Sequence, residues 1–142
     1  MTKRKKLFKY EKEEKKKERH KNSKAYIKKQ IKKKYKDDLK QWVLDVKTRD
    51  NYTCQICLKY VKDNPHNCHA HHILDKKNYK EFSTDILNGI TLCYKHHKVG
   101  KLSPHMNALF FSIWLQLYKP EQYKYLLDKL EINKFINERN IK

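Results

Sequence analysis

The residues with the clearest chemical potential are two short pairs. Cys54-Gln55-Ile56-Cys57 spaces two thiols by two residues, and Cys93-Tyr94-Lys95-His96 repeats the spacing with histidine second. Each spacing lets one tight turn aim both ligands at a single point. Two such pairs complete the closed tetrahedron that structural Zn²⁺ prefers. With little apolar sequence nearby, metal binding would supply much of the local folding free energy. The four cysteines read as metal ligands before disulfides, because nothing at the N-terminus resembles a secretory signal and a reducing, cytoplasmic setting is the default expectation.

Between the pairs, His66, Cys68, His69, His71 and His72 crowd into seven positions. His66, Cys68 and His69 could compete for the zinc, and Cys68 could replace His96. His96 is favoured because it stands in register with Cys93. Asn88 precedes Gly89, where it is either a turn former or a residue that holds a neighbouring segment. Arg49 either meets a phosphate or pairs with Asp45 or Asp50. Lys98 and Lys101 either touch a phosphate backbone or are solvated.

Three runs together resemble the zinc-containing HNH endonucleases. Arg49-Asp50-Asn51-Tyr52-Thr53-Cys54-Gln55-Ile56-Cys57 resembles the opening of that module, and Ala70-His71-His72-Ile73 its first histidine strand. Asn88-Gly89-Ile90-Thr91-Leu92-Cys93-Tyr94-Lys95-His96-His97 resembles the segment with its asparagine and last histidine. The resemblance covers about residues 40–101. It departs at the end, where CxxHH stands in place of CxxCH; histidine is an acceptable zinc ligand. The resemblance implies a zinc-bound ββα-metal core that hydrolyses DNA phosphodiesters. His71 and His97 would hold one catalytic cation, Mg²⁺ or Mn²⁺. His72 would be the general base, and Asn88 would hold the His72 segment through backbone hydrogen bonds. Arg49, Lys98 and Lys101 are the candidate nucleic-acid contacts in and beside these runs.

The elements that must position these residues follow from periodicity. Ile27, Ile31, Tyr35, Leu39, Trp42, Val43 and Val46 recur at three and four, which predicts a helix to about Arg49, with Asp37-Asp38 as a point of interruption or restart. Residues 69–74 read as a short strand, 76–87 as a polar loop, and Ile90-Thr91-Leu92 as a second strand. A helix then starts near Cys93 and ends at Gly100. Adjacent strand residues point to opposite faces, so His71 and His72 can take different tasks. His96 and His97, about 100° apart on a helix, can face different metals. Ser103-Pro104 predicts the start of an apolar helix through Ala108, Leu109, Phe110, Phe111, Ile113, Trp114, Leu115 and Leu117. Its aromatic stripe could stack bases, but core packing is the better reading. Pro120 opens a last amphipathic helix through Leu126, Leu127 and Leu130.

Composition supplies the partner. The 142 residues carry net +19, and residues 1–40 hold 19 Lys/Arg against 6 Asp/Glu. A polyanion such as nucleic acid, or an anionic membrane surface, is the natural counterpart, and the resemblance implies DNA, double-stranded. The first 24 residues have too little apolar area for a core and predict a solvated helix or disorder. No apolar run is long enough to span a bilayer. The expected fold class is α+β, mostly helical. It comprises a basic arm (1–40), an HNH core (41–101) and C-terminal helices (102–142). The small Lys-rich chain suits a phage or mobile element, which would place it in a host cytoplasm. A double-strand break would need a dimer or two visits. The competing expectation is a non-catalytic zinc module that binds nucleic acid through the arm, and a third is a scaffold merely stapled by zinc.

Overall fold

The computed structural model describes residues 3–21 and 23–131. The expected continuation of the C-terminal region through 132–142 lies outside the described residues. The chain divides into two compact units, Met1–Asp38 and Leu39–Lys142. The class is α+β, mostly helical, with one two-stranded antiparallel sheet among the described residues.

In the first unit, helix α1 spans Lys3–Lys21, and α2 (Lys24–Arg49) begins there. Lys and Glu are good helix formers that lose little side-chain freedom. α1 therefore needs no core: Leu7, Phe8 and Tyr10 are all exposed on it. α2 runs unbroken through Asp37-Asp38, where an interruption had been one expectation. Its early stripe is also not a packing face, since Ile27 and Ile31 are exposed.

In the second unit, α2 buries Trp42 and Val46. The helix ends because Asn51 and Tyr52 turn left-handed, at φ of 50° and 51°. Tyr52 N–H then donates to Lys47 O at 2.7 Å, and Asn51 N–H to Thr48 O at 3.0 Å. That paired closure satisfies carbonyls the helix leaves open. It throws the chain straight into the Cys54–Cys57 turn, which closes with Leu58 N–H on Cys54 O and Cys54 N–H on Lys59 O.

Strand β1 (His69–His72) pairs antiparallel with β2 (Gly89–Leu92), His72 opposite Gly89 and His69 opposite Leu92. β1 stops two residues before the expected end. Ile73 N–H is taken by Asn88 O and Leu74 N–H by the Asn88 side chain, which bends the chain away from the ladder. β2 is wholly buried, against α2 on one side and the core around Phe111, Leu115 and Leu126 on the other. Gly89 marks the closest approach to α2. A Cβ there would collide with Val46 and come within 2.8 Å of Trp42 Cζ2. Gly89→Ala should therefore lower stability by about 2 kcal/mol through overpacking. A thermal melt reads this, and an unchanged midpoint would show that α2 can yield.

After β2 comes a π-helical turn, Lys95–Val99, closed by Gly100 N–H on Lys95 O at 2.7 Å. Gly100 ends it in an extended conformation and not the left-handed one. Helix α3 starts at Ala108 and not at Pro104. Asn107 is the cap, accepting from Phe110 N–H, because the Ser103 hydroxyl is drawn to His97 O at 2.7 Å. α3 (Ala108–Tyr118) buries Phe111, Trp114 and Leu115, but leaves Leu109, Phe110, Ile113 and Leu117 exposed. Helix α4 (Pro120–Lys129) opens on its proline as expected and ends one residue before Leu130. Its Gln122 amide donates to Leu87 O and Gly89 O, and its Tyr125 hydroxyl to Asp85, fixing the entry to β2.

Candidate functional site

Two groups of ligand-type side chains sit either side of the π-helical turn. In the first, Cys54 and Cys57 come from the turn after α2, Cys93 from the end of β2, and His96 from the turn itself. Their ligand atoms all lie within 4.8 Å of one another. His96 Nδ1 is 3.6 Å from Cys54 Sγ and 3.2 Å from Cys93 Sγ, and Cys57 Sγ is 4.0 Å from Cys93 Sγ. Zn–S of about 2.3 Å and Zn–N of about 2.0 Å at tetrahedral angles require S···S near 3.8 Å and S···N near 3.5 Å. The group is therefore dimensioned for a metal such as zinc. Burial raises the Cys54 thiol, yet backbone N–H groups of Cys57, Cys93 and Ile56 outweigh it and leave the thiol below its ordinary value. Burial pushes Cys93 up to about 11. Cys68 is not a member; it is buried in the apolar core, where desolvation raises its thiol.

His69 and His66 are also outside the first group. His69 donates from Nε2 to His66 O at 2.9 Å and stacks on His97, ring centroids 4.8 Å apart. His66 is exposed in the turn Pro65–Asn67.

The second group joins His71, His97 and His105, with one nitrogen of each within 4.8 Å of the others. His71 leaves β1 on this side and also meets Phe111 edge-on. Burial, and then the neighbouring imidazoles, push His71 down to about 3 and His97 down to about 4. Both rings are thus neutral near pH 7, the form that ligates metals. The wide turn aims His96 at the thiols and the adjacent His97 at this second group. His105 was invisible to sequence reasoning. It lies eight residues past His97, beyond any single helical turn, and only the fold returns it. Ser103 makes that return: fully buried, it donates to His97 O and accepts from His105 N–H at 3.3 Å.

His72 leaves β1 in the opposite direction. Its ring stacks on Trp42, centroids 3.7 Å apart and planes within 9°. Nε2 lies 2.8 Å from Ser83 O. A carbonyl only accepts, so Nε2 carries the proton and Nδ1 is left with the lone pair. Burial lowers its affinity for a second proton, partly offset by the Ser83 carbonyl. His71, His72, His97 and His105 nevertheless border one cleft of about 710 Å³.

Asn88 is fully buried behind this strand. Its Oδ1 accepts from Leu74 N–H at 2.6 Å, and its Nδ2 donates to Leu74 O at 3.1 Å and Phe82 O at 2.9 Å. It therefore holds both the segment after His72 and the loop leading to Ser83. Asn88→Ala strands three backbone groups and should cost about 3 kcal/mol at roughly 1 kcal/mol each. Denaturant unfolding measures it, and a loss below about 1 kcal/mol would mean the loop re-pairs without it.

Arg49, expected as a phosphate contact, is engaged within the fold. Its guanidinium donates to Asp50 at 2.9 Å, Ile86 O at 2.6 Å and Gly89 O at 2.8 Å, while Asp50 accepts from Thr91 N–H. The Asp50 alternative is the one realised, because the end of α2 must be tied to β2. Lys98 and Lys101 are exposed. No family model, curated protein or solved structure matches the chain.

Proposed function

We propose that the second unit is an HNH-type, ββα-metal endonuclease that hydrolyses DNA phosphodiester bonds, with the basic first unit supplying phosphate contacts. One observation carries this reading. A single strand sends His71 into a cluster of neutral imidazoles and His72 into a site where its tautomer is set, with both bordering the same cleft. The antiparallel pair β1–β2 followed by the turn bearing His97 supports the ββα-metal assignment.

The residues fit a catalytic cation. The donors are neutral imidazole nitrogens, one from each of His71, His97 and His105, all within 4.8 Å of one another. A divalent ion held by His71 and His97 would polarise the scissile phosphate and stabilise the leaving oxygen. His72 Nδ1 accepts the proton of the attacking water as general base, while Ser83 O, on the opposite nitrogen, favours the imidazolium that forms. Trp42 holds the ring plane, and Asn88 holds the strand end and the Ser83 loop in mutual register. Lys98, whose charge acts on His71, His97 and His105, and the exposed Lys101 are candidate phosphate contacts, which position without specifying sequence.

The test is nicking of supercoiled plasmid over a panel of divalent metals, with His72→Ala alongside. Wild type should nick and retard DNA with strong salt dependence. A protein that retards DNA but never nicks would instead be a zinc-stabilised binding module. Equal nicking by His72→Ala would sink the assignment of the base.

A further inference from the structure

His71, His97 and His105 come from a strand, a π-helical turn and a loop; the sequence resemblance joined the first two and gave no reason for the third to meet them. Their ring centroids lie 5.2, 5.0 and 4.7 Å apart, at interplanar angles of 66°, 80° and 72°. Packing alone permits parallel stacking, as His69 does on His97. Edge-on rings instead allow one nitrogen from each to reach a common centre. His97 Nε2 and His105 Nε2 are 3.1 Å apart. Two nitrogens bound to one ion at about 2.0–2.1 Å would be separated by about 2.9–3.4 Å, for angles between octahedral and tetrahedral.

A hydrogen bond between His97 and His105 would account for the 3.1 Å alone. It would use only one of the three lone pairs that three neutral rings carry. It also gives no reason for His71 to converge on the pair. Among the described residues, no carboxylate joins the group. Mg²⁺ demands oxygen ligands and dehydrates reluctantly, whereas imidazole suits zinc, nickel and their neighbours.

We propose that His105 is a third protein ligand beside His71 and His97, and that this all-imidazole site takes a nitrogen-preferring transition-metal dication such as Zn²⁺, Ni²⁺ or Co²⁺ in place of Mg²⁺. The proposal rests on the reading that His71 and His97 hold a metal, and it replaces the Mg²⁺ or Mn²⁺ that the sequence resemblance suggested. Ser103 is the positioning residue, since its hydroxyl joins the backbones of His97 and His105.

The experiment uses the tag-free full chain with its Cys54–Cys57–Cys93–His96 site already loaded with zinc, titrated calorimetrically with Ni²⁺. Wild type should bind one further equivalent. His105→Ala and His71→Ala should each weaken that step about tenfold or more, while His72→Ala leaves it unchanged. His105 is exposed, so its replacement should not disturb folding, and retained zinc content checks this. Co²⁺ in the same step should give a spectrum without a thiolate charge-transfer band. Millimolar Mg²⁺ should not displace the bound ion. Wild-type affinity in His105→Ala, a thiolate band, or displacement by Mg²⁺ would each overturn the proposal. Ni²⁺ bound as expected by a protein that never nicks plasmid would leave this inference standing and remove the nuclease reading.

Discussion

Cys93→Ser is expected to unfold the Leu39–Lys142 unit, not merely to weaken a metal site. Cys93 directly follows β2, is buried, and belongs to the same apolar cluster as Cys54, Ile90, Leu92 and Phe111. Among the described residues the sheet it follows has only two strands, and isolated hairpins are marginal in water. A structural zinc contributes on the order of 10–16 kcal/mol of binding free energy in small zinc-folded peptides. A domain's net stability is about 5–15 kcal/mol. Losing one thiolate of the four ligands should therefore remove most or all of the folded population. Far-UV circular dichroism with and without a strong chelator reads the effect on wild type and variant. Cys68→Ala provides the contrast: it vacates apolar volume but no ligand, so zinc stoichiometry should remain at the wild-type value. A cooperative wild-type melt in Cys93→Ser would show that the apolar core suffices without the metal.

His72→Ala should lower plasmid nicking by about 10²–10⁴-fold, the usual contribution of a positioned general base. Zinc content, DNA retardation and metal uptake by the imidazole cluster should be unchanged, because His72 faces Trp42 and Ser83 and belongs to neither ligand group. Alanine also frees the Ser83 carbonyl and leaves a gap against Trp42, so some stability will be lost with the activity. His72→Gln separates the two effects. Its amide can donate to Ser83 O but cannot accept a proton from water near neutral pH. Stability close to wild type together with lost nicking identifies a base; nicking by the glutamine variant would relegate His72 to a packing role.

The two positioning devices around His72 differ in how far the sequence could announce them. Asn88 before Gly89 was open to either a turn or a holding role, and its hydrogen bonds to Leu74 and Phe82 give it the second. The stack of Trp42 on His72 had no sequence signal. Trp42 was legible only as one apolar residue of a helical stripe, whose first two members, Ile27 and Ile31, turned out exposed. Thirty residues separate the two rings, and Gly89, lacking a Cβ, is what lets α2 come close enough for contact.

The two ligand-type pairs were legible because their geometry is local. A two-residue spacing fixes where both side chains of Cys54 and Cys57 point, and the same holds for Cys93 and His96, whatever the rest of the chain does. Alternation in β1 likewise separated His71 from His72, and adjacency on one turn separated His96 from His97. What the local spacing could not decide was which distant groups would meet. His105 joins His71 and His97 only because a buried Ser103 hydroxyl bonds His97 O, which also moves the start of α3 to Ala108. Arg49 is directed inward because the carbonyls of Ile86 and Gly89 stand open beside the end of α2. Cys68, which could have competed for the same site, is excluded because its place beside the strand turns it into the core. Short-range stereochemistry thus wrote the zinc-compatible cluster of Cys54, Cys57, Cys93 and His96 into the sequence, while the membership of the histidine group depended on long-range packing that brings separate elements to one point.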